Sequence, residues 1–204
     1  MHDYSIDKHP KEKVLFLLAF IAITIAPIIK SFAEYLFSLL EINAGWSFSL
    51  VVAIPVFGVF ASLYFLFDKY LWKVSLLRKF LLVPDLNGQW NCTGHTVLKN
   101  ATQADIHWEG TLSIIQSWSK IMIHLKTSQS ESKSISASIF HEEGVGYRLL
   151  YQYNNRPNAN ELDLNNHSGT SELLFSEDTL LADGSYYTDR HRTTVGKMIL
   201  RREE

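Results

Sequence analysis

The sequence predicts a membrane-anchored all-β protein: an N-terminal two-helix transmembrane hairpin followed by a small antiparallel eight-stranded β-barrel. Three observations predict it. Two long uncharged apolar runs, Val14–Ile29 and Trp46–Phe67, lie in the first third of the chain. After Trp90, apolar and polar residues alternate with period two, as in half-buried strands. Between the two regions stands Pro84-Asp85-Leu86-Asn87-Gly88-Gln89-Trp90, where the chain changes solvent. Pro84 cannot continue a helix and pushes Val83 towards extended geometry, while Asn87 and Gly88 suit a tight turn. The expected domains are therefore residues 1–83 and 84–204.

Charge divides the chain at the same place. Residues 1–83 carry a net +2 and residues 84–204 a net −4. An acidic C-terminal part argues against a nucleic-acid polymer, which needs a basic stripe. It leaves room for a small phosphorylated ligand, for which one or two Arg suffice. At about 120 residues the second part is large enough to bury its own core. Cys92 is the only cysteine, so no intrachain disulfide forms, and a small core residue is its ordinary role.

The first apolar run holds 16 residues, which is short for a bilayer; a helix continuing through Lys30 to Phe32 is long enough. The second holds 22, with Trp46, Tyr64, Tyr70 and Trp72 near its ends as interfacial aromatics. Spans are expected over about 14–32 and 46–67, and between the uncharged runs lies a short loop with Lys30, Glu34 and Glu41. Lys8, Lys11 and Lys13 precede the first span, and Lys69, Lys73, Arg78 and Lys79 follow the second. The positive-inside rule places both termini, and with them the barrel, in the cytoplasm. A cleaved secretory signal ending near Ser31-Phe32-Ala33 is the rival reading and would put the barrel outside. Ala22 and Ala26, then Gly58 and Ser62, give each span a small-residue face for close helix packing, either within one hairpin or between copies. Leu71–Val83 reads as an amphipathic connector suited to the membrane surface.

Eight strands are expected over about 87–98, 106–116, 119–128, 133–141, 145–154, 168–175, 179–188 and 194–202. Ile121, Ile123 and Leu125 share one face of the third; Tyr147, Leu149, Tyr151 and Tyr153 share one face of the fifth. Short turns and no βαβ spacing favour an up-and-down barrel, with room inside for side chains or one small ligand. Gly88-x-Trp90 lets a large ring plug one end where the backbone bends, a lipocalin-like feature.

Motifs for chemistry are missing. There is no His-Glu-x-x-His, no paired Cys, no calcium loop, no Walker loop, no dinucleotide glycine fingerprint and no Gly-x-Ser-x-Gly elbow. No catalytic residue, metal site or cofactor is expected. What stands out is a polar and aromatic set: Tyr151, Tyr153 and Arg156; His167 and Thr170; Tyr186, Tyr187, Thr188 and Arg190; and Thr193. Tyrosines offer flat faces for a base, and Arg190 a planar fork for phosphate. The plainer reading is that Tyr and Thr are good strand formers and that Arg190 caps a hairpin.

The combination of two spans, Pro84-Asp85-Leu86-x-Gly88-x-Trp90, Tyr151-x-Tyr153, His167-x-Gly169-Thr170, Gly184-x-Tyr186-Tyr187-Thr188-x-Arg190 and Thr194-x-Gly196 resembles the two-transmembrane β-barrel effectors encoded beside CD-NTases in CBASS anti-phage systems. The resemblance implies a barrel that senses a cyclic dinucleotide made by the partner synthase. It further implies homo-oligomerisation on activation, breach of the bacterial inner membrane and abortive infection. The matching positions coincide with the polar and aromatic set. A membrane-anchored carrier of a small apolar ligand remains the alternative; it requires a lumen lined by Ile, Leu and Phe. A membrane-bound enzyme requires a cleft with adjacent acid, base and nucleophile.

Overall fold

In the computed structural model the described residues are 1–7, 10–40, 48–97, 106–161, 164–189 and 194–203. They form two compact units: Pro10–Val74, and Met1–His9 together with Ser75–Glu204. The division falls at Val74, ahead of Pro84, and the N-terminal residues join the second unit.

The first unit is helical, with α1 over Lys11–Leu39 and α2 over Phe48–Lys69, then a single 3-10 turn over Leu71–Lys73. Among the described residues one helix, Lys11–Leu36, is long and apolar enough to cross a membrane. Helix α1 passes through Pro27 and continues beyond Phe32. The expected loop residues Lys30 and Glu34 lie on it instead, one turn apart, and pair at 3.5 Å. Val14, Leu18, Ala22 and Ala26 recur every four residues and are buried, and α1 packs on α2. Gly58 and Ser62 are exposed, and a β-carbon added at Gly58 would meet nothing within 4 Å. The amphipathic connector is interrupted: Val74 is extended, and helix α3 over Ser75–Leu81 belongs to the second unit. Leu76 and Phe80 lie one turn apart on α3 and are exposed.

The second unit is a closed antiparallel barrel of eight strands. They are β3 (Gly88–Val97), β4 (Ile106–Gln116), β5 (Lys120–Thr127), β6 (Ser130–Glu142), β7 (Gly146–Pro157), β8 (His167–Phe175), β9 (Leu181–Thr188) and β10 (Val195–Arg202). Each pairs with its sequence neighbour, and β10 pairs with β3 to close the ring. Closure leaves few free sheet edges, which is how an all-β domain of this size limits edge-to-edge pairing. Two further strands, β1 (His2–Asp3) and β2 (Ser5–Ile6), come from the N-terminal tail. Nothing in the sequence pattern announces them. They pair with β5 and β6 respectively, and β5 and β6 touch each other only from His124–Lys126 to Glu131–Lys133.

Inward-facing side chains fill one end. Trp90 is fully buried; its Nε1 donates to the Leu86 carbonyl at 3.2 Å and its ring meets Phe175 edge-on at 5.0 Å. Gly88, at φ 130°, makes the bend that turns Trp90 inward. The Arg202 guanidinium stacks over Trp90 at 5.3 Å and donates to the carbonyls of Asn87 and Thr179. Leu86, Leu112, Ile121, Ile139, Leu149, Leu173 and Leu200 complete this plug. Cys92 is buried among them, and burial pushes its thiol up to about 12. The tail and the Pro84–Trp90 linker both enter at this plugged end.

Candidate functional site

The opposite end of the barrel is hollow. A cavity of 710 Å³ opens there, where β3, β5, β7 and β9 finish. That lies within the roughly 300–1,000 Å³ range of small-molecule sites. Its walls combine rings (Trp108, Tyr151, Tyr153, Tyr186, His167) with short hydrogen-bonding side chains (Thr96, Thr127, Ser130, Ser132, Asn155, Thr188, Thr194). Ile106, Leu125, Leu164 and Met198 supply the apolar remainder, and Gln129 stands at the rim beside Ser130. Among the described residues the wall has no Lys, Arg, Asp or Glu.

Strand parity decides which residues reach it. On β7, Tyr151, Tyr153 and Asn155 point inward in step with Leu149. On β9, Ala182 and Tyr186 point inward, and on β8 Ser171 and Leu173 do. Three of the rings lie across a glycine on the next strand: Trp108 over Gly94, Tyr153 over Gly169, and Tyr186 over Gly196. In each case a β-carbon would overlap the ring. The pairs leave each ring flat against the wall, keeping the lumen open.

The polar groups are connected. Tyr186 OH hydrogen-bonds Thr96 Oγ1 at 2.5 Å and accepts from Trp108 Nε1 at 3.0 Å, with the two rings edge-on at 5.9 Å. On the facing wall Tyr151 and Tyr153 lie 6.1 Å apart, and Tyr153 meets His167 edge-on at 6.5 Å. Asn155 Nδ2 and His167 Nδ1 are 3.5 Å apart. Thr188 Oγ1 accepts from the Thr194 amide at 2.9 Å and pairs with its hydroxyl at 3.0 Å, pinning the β9–β10 ends together. Burial holds the Tyr151 phenol well above its ordinary value, with a hydrogen bond to Ser171 opposing, so it stays a protonated donor. Two aromatic walls with donors between them are suited to flat heterocycles and their polar edges.

Of the residues singled out in the sequence, Tyr151, Tyr153, His167, Tyr186 and Thr188 come together in this cavity. Arg156, Thr170 and Tyr187 do not line it. Arg156 is exposed on β7 next to inward-facing Asn155, and Thr170 and Tyr187 are cross-strand neighbours on the outer face. Arg190 and Thr193 lie outside the described residues. Trp108, Thr96 and Asn155 line the cavity without having been among the candidates, and Thr194 of the Thr194-x-Gly196 motif lines it too. A strand-interior glycine such as Gly94 was the available signal for Trp108, since it marks close approach by a neighbour. Among the described residues no group of three or more His, Cys, Asp or Glu is placed to hold a metal ion.

Comparison with known proteins bears on the same two regions. The family profile described as "Cap15, cyclic dinucleotide receptor domain" matches residues 81–202, and that described as "Cap15, TM helices" matches residues 12–73. A protein of Yersinia aleksiciae named CD-NTase-associated protein 15 is 39% identical over 189 residues, covering 93% of this chain and 85% of that one. A protein of the same name from Staphylococcus schleiferi is 28% identical over 134 residues, covering 62% and 66%. A barrel with an aromatic cavity behind a transmembrane-helix region, matched by both profiles, belongs to the Cap15 family of cyclic dinucleotide receptors.

Proposed function

We propose that this chain is a CBASS effector whose barrel cavity binds a cyclic dinucleotide made by a CD-NTase. On this reading binding triggers homo-oligomerisation in the inner membrane, and the assembled hairpins disrupt it, ending the infected cell's growth. The observation that carries the reading is the cavity at the open end of the barrel, with aromatic walls and hydroxyl and amide groups between them. The bases stack on Tyr151, Tyr153, Tyr186 and Trp108, while Thr96, Asn155, His167, Thr188 and Thr194 meet base edges and phosphates. No carboxylate in the described wall repels the phosphates. Arg190 follows Thr188 by two residues in the chain and is assigned as the phosphate fork. Thr193 adjoins Thr194 and is assigned to the same end.

The apolar-carrier alternative requires a lumen with little polar lining. The abundance of Thr, Ser and Asn at the cavity wall weighs against it.

A multi-pass arrangement with a cytoplasmic barrel draws support from the tail. Residues 2–6 are hydrogen-bonded into the barrel, which supports a segment from Pro10 to Val74 that starts and ends on one side of the bilayer. That requires an even number of crossings, and the positive flanks select the cytoplasm. Gly58 and Ser62 are exposed and are assigned as the face between copies, whereas Ala22 and Ala26 are buried and serve the hairpin itself.

The test is thermal unfolding of the full chain in nanodiscs with a panel of 3′–5′ cyclic dinucleotides and a fatty acid. A ligand at 100 Kd stabilises by about 2.7 kcal/mol. A shift with a cyclic dinucleotide and none with the fatty acid is expected; the reverse favours the carrier.

A further inference from the structure

The barrel is incomplete without the first six residues of the chain. At the cavity end β5 and β6 pair through Leu125 and Ser132 and their neighbours. Past that point they separate. The Ile123 amide donates to Ser134 Oγ at 2.9 Å, a side chain standing in for the missing ladder bond. β6 carries an irregularity between Ser134 and Ser136. The tail fills the wedge. His2 and Asp3 pair antiparallel with Ile121 and Lys120, Ser5 and Ile6 pair parallel with Ser138 and Ile139, and the Asp7 amide donates to the Ile139 carbonyl at 3.0 Å. His2 Nε2 reaches Ser134 Oγ at 2.7 Å, at the hinge where the seam opens.

Side chains extend the attachment. Tyr4 and Ile6 pack against the barrel core. Tyr4 OH donates to the Ser117 carbonyl and accepts from Gln116 Nε2, each at 3.1 Å. Gln116 is itself buried, and its Oε1 accepts the Leu86 amide at 2.9 Å. One glutamine thus ties the chain going into the helical unit to the chain coming out of it.

We propose that the N-terminal strand pair is an autoinhibitory latch. Docked, it covers the unpaired edges of β5 and β6 and holds the residues leading directly into α1 on the barrel. Released, it frees the start of α1 from the barrel. The same two strands carry Leu125, Thr127, Ser130 and Ser132 in the cavity wall. A ligand that draws them together extends their pairing past Ser134 and displaces His2. The latch is a two-state element, since one set of backbone groups on β5 and β6 cannot pair with both the tail and each other. The inference rests on the assembly reading above and adds what restrains it.

The experiment locks the latch. Ser5 and Ser138 hydroxyls are 2.7 Å apart on the solvent side, so Ser5→Cys with Ser138→Cys in the full chain forms a disulfide across the seam. Cys92 is buried and takes no part in oxidation. In dye-loaded liposomes with the cyclic dinucleotide panel, the oxidised protein is expected to bind ligand more weakly than the reduced protein, because the lock opposes the state that ligand favours. Its leakage falls to the ligand-free level, and dithiothreitol restores it. Wild-type leakage from the oxidised protein overturns the latch. Ile6→Asp is the converse variant, expected to leak and assemble without ligand. A ligand-free Ile6→Asp protein that stays unassembled, with β9–β10 amides still protected from exchange, also overturns it. If no panel member binds the wild type, the cavity reading fails and the Ile6→Asp arm still decides the latch.

Discussion

Tyr186 lies across Gly196 on the adjacent strand so closely that a β-carbon at Gly196 would overlap its ring. The ring's hydroxyl is at the same time fixed by Thr96 and Trp108. Neither end of the side chain has freedom to move. Gly196→Ala therefore forces the ring into the lumen or breaks its hydrogen bonds. Overpacking of this kind costs about 1–3 kcal/mol. The expected outcome is a lower thermal midpoint, together with loss of cyclic dinucleotide affinity by more than the loss of folded protein explains. Thr188→Val separates the two effects, since it removes a hydroxyl at the same strand end without overpacking.

Tyr153 and Tyr187 make a matched pair of opposite orientation. Tyr153 faces the cavity, while Tyr187 is 57% exposed on the outer wall. Removing a ring that stacks on a base costs about 1–3 kcal/mol, or roughly 5- to 150-fold in Kd. Tyr153→Ala is expected to fall in that range by calorimetric titration, and Tyr187→Ala to bind as wild type. Arg156→Ala and Thr170→Ala belong with Tyr187, because parity turns them outward. Equal losses at Tyr153 and Tyr187 would move the site out of the barrel.

These residues also mark what the sequence could and could not convey. The eight barrel strands were legible because inward Ile121 and Ile123 or Leu149 and Tyr151 repeat with the period of a strand buried on one face. Side choice between adjacent Tyr186 and Tyr187 was not legible. It depends on the phase of β9, which small residues Ala182 and Gly184 on the inner face leave undeclared. Strands β1 and β2 have two residues each, too few for a period, and their partners lie more than a hundred positions away. Helix α1 outran its apolar stretch because the Lys30–Glu34 pair lets two charges ride on one helical turn. The polarity of a helix and that of a loop are alike there until the i, i+4 partner is counted.

Gly58 and Ala22 provide a second matched pair, within the helical unit. A β-carbon at Gly58 meets nothing, whereas Ala22 is fully buried. Gly58→Leu is expected to leave the isolated hairpin and ligand binding intact while blunting toxicity in induced cells, because it thickens the face offered to another copy. Ala22→Leu instead overpacks the helix pair and is expected to lower the amount of inserted protein. Full toxicity from Gly58→Leu at wild-type expression would remove that face from the assembly.

Alkaline pH should weaken the barrel through its interior. Burial raises the Cys92 thiol to about 12 in the folded state, against roughly 8.5 for a free cysteine. Below about pH 8.5 the thiol is protonated in both states and its full contribution is present. Between there and about 12 the unfolded chain releases a proton that the folded one keeps, so stability falls by up to about 1.4 kcal/mol per pH unit. Burial also raises Tyr151, with Ser171 opposing, and Tyr147, with Glu177 adding to it and Arg78 opposing; these steepen the loss once free tyrosines ionise. Cys92→Ala removes the first component alone. At pH 7 it should unfold at lower denaturant than wild type, having lost a buried side chain. As pH rises from 8.5 to 10 the gap between the two should narrow, followed by tryptophan fluorescence. A gap that stays constant across that range would mean that the thiol ionises as readily inside the barrel as in water.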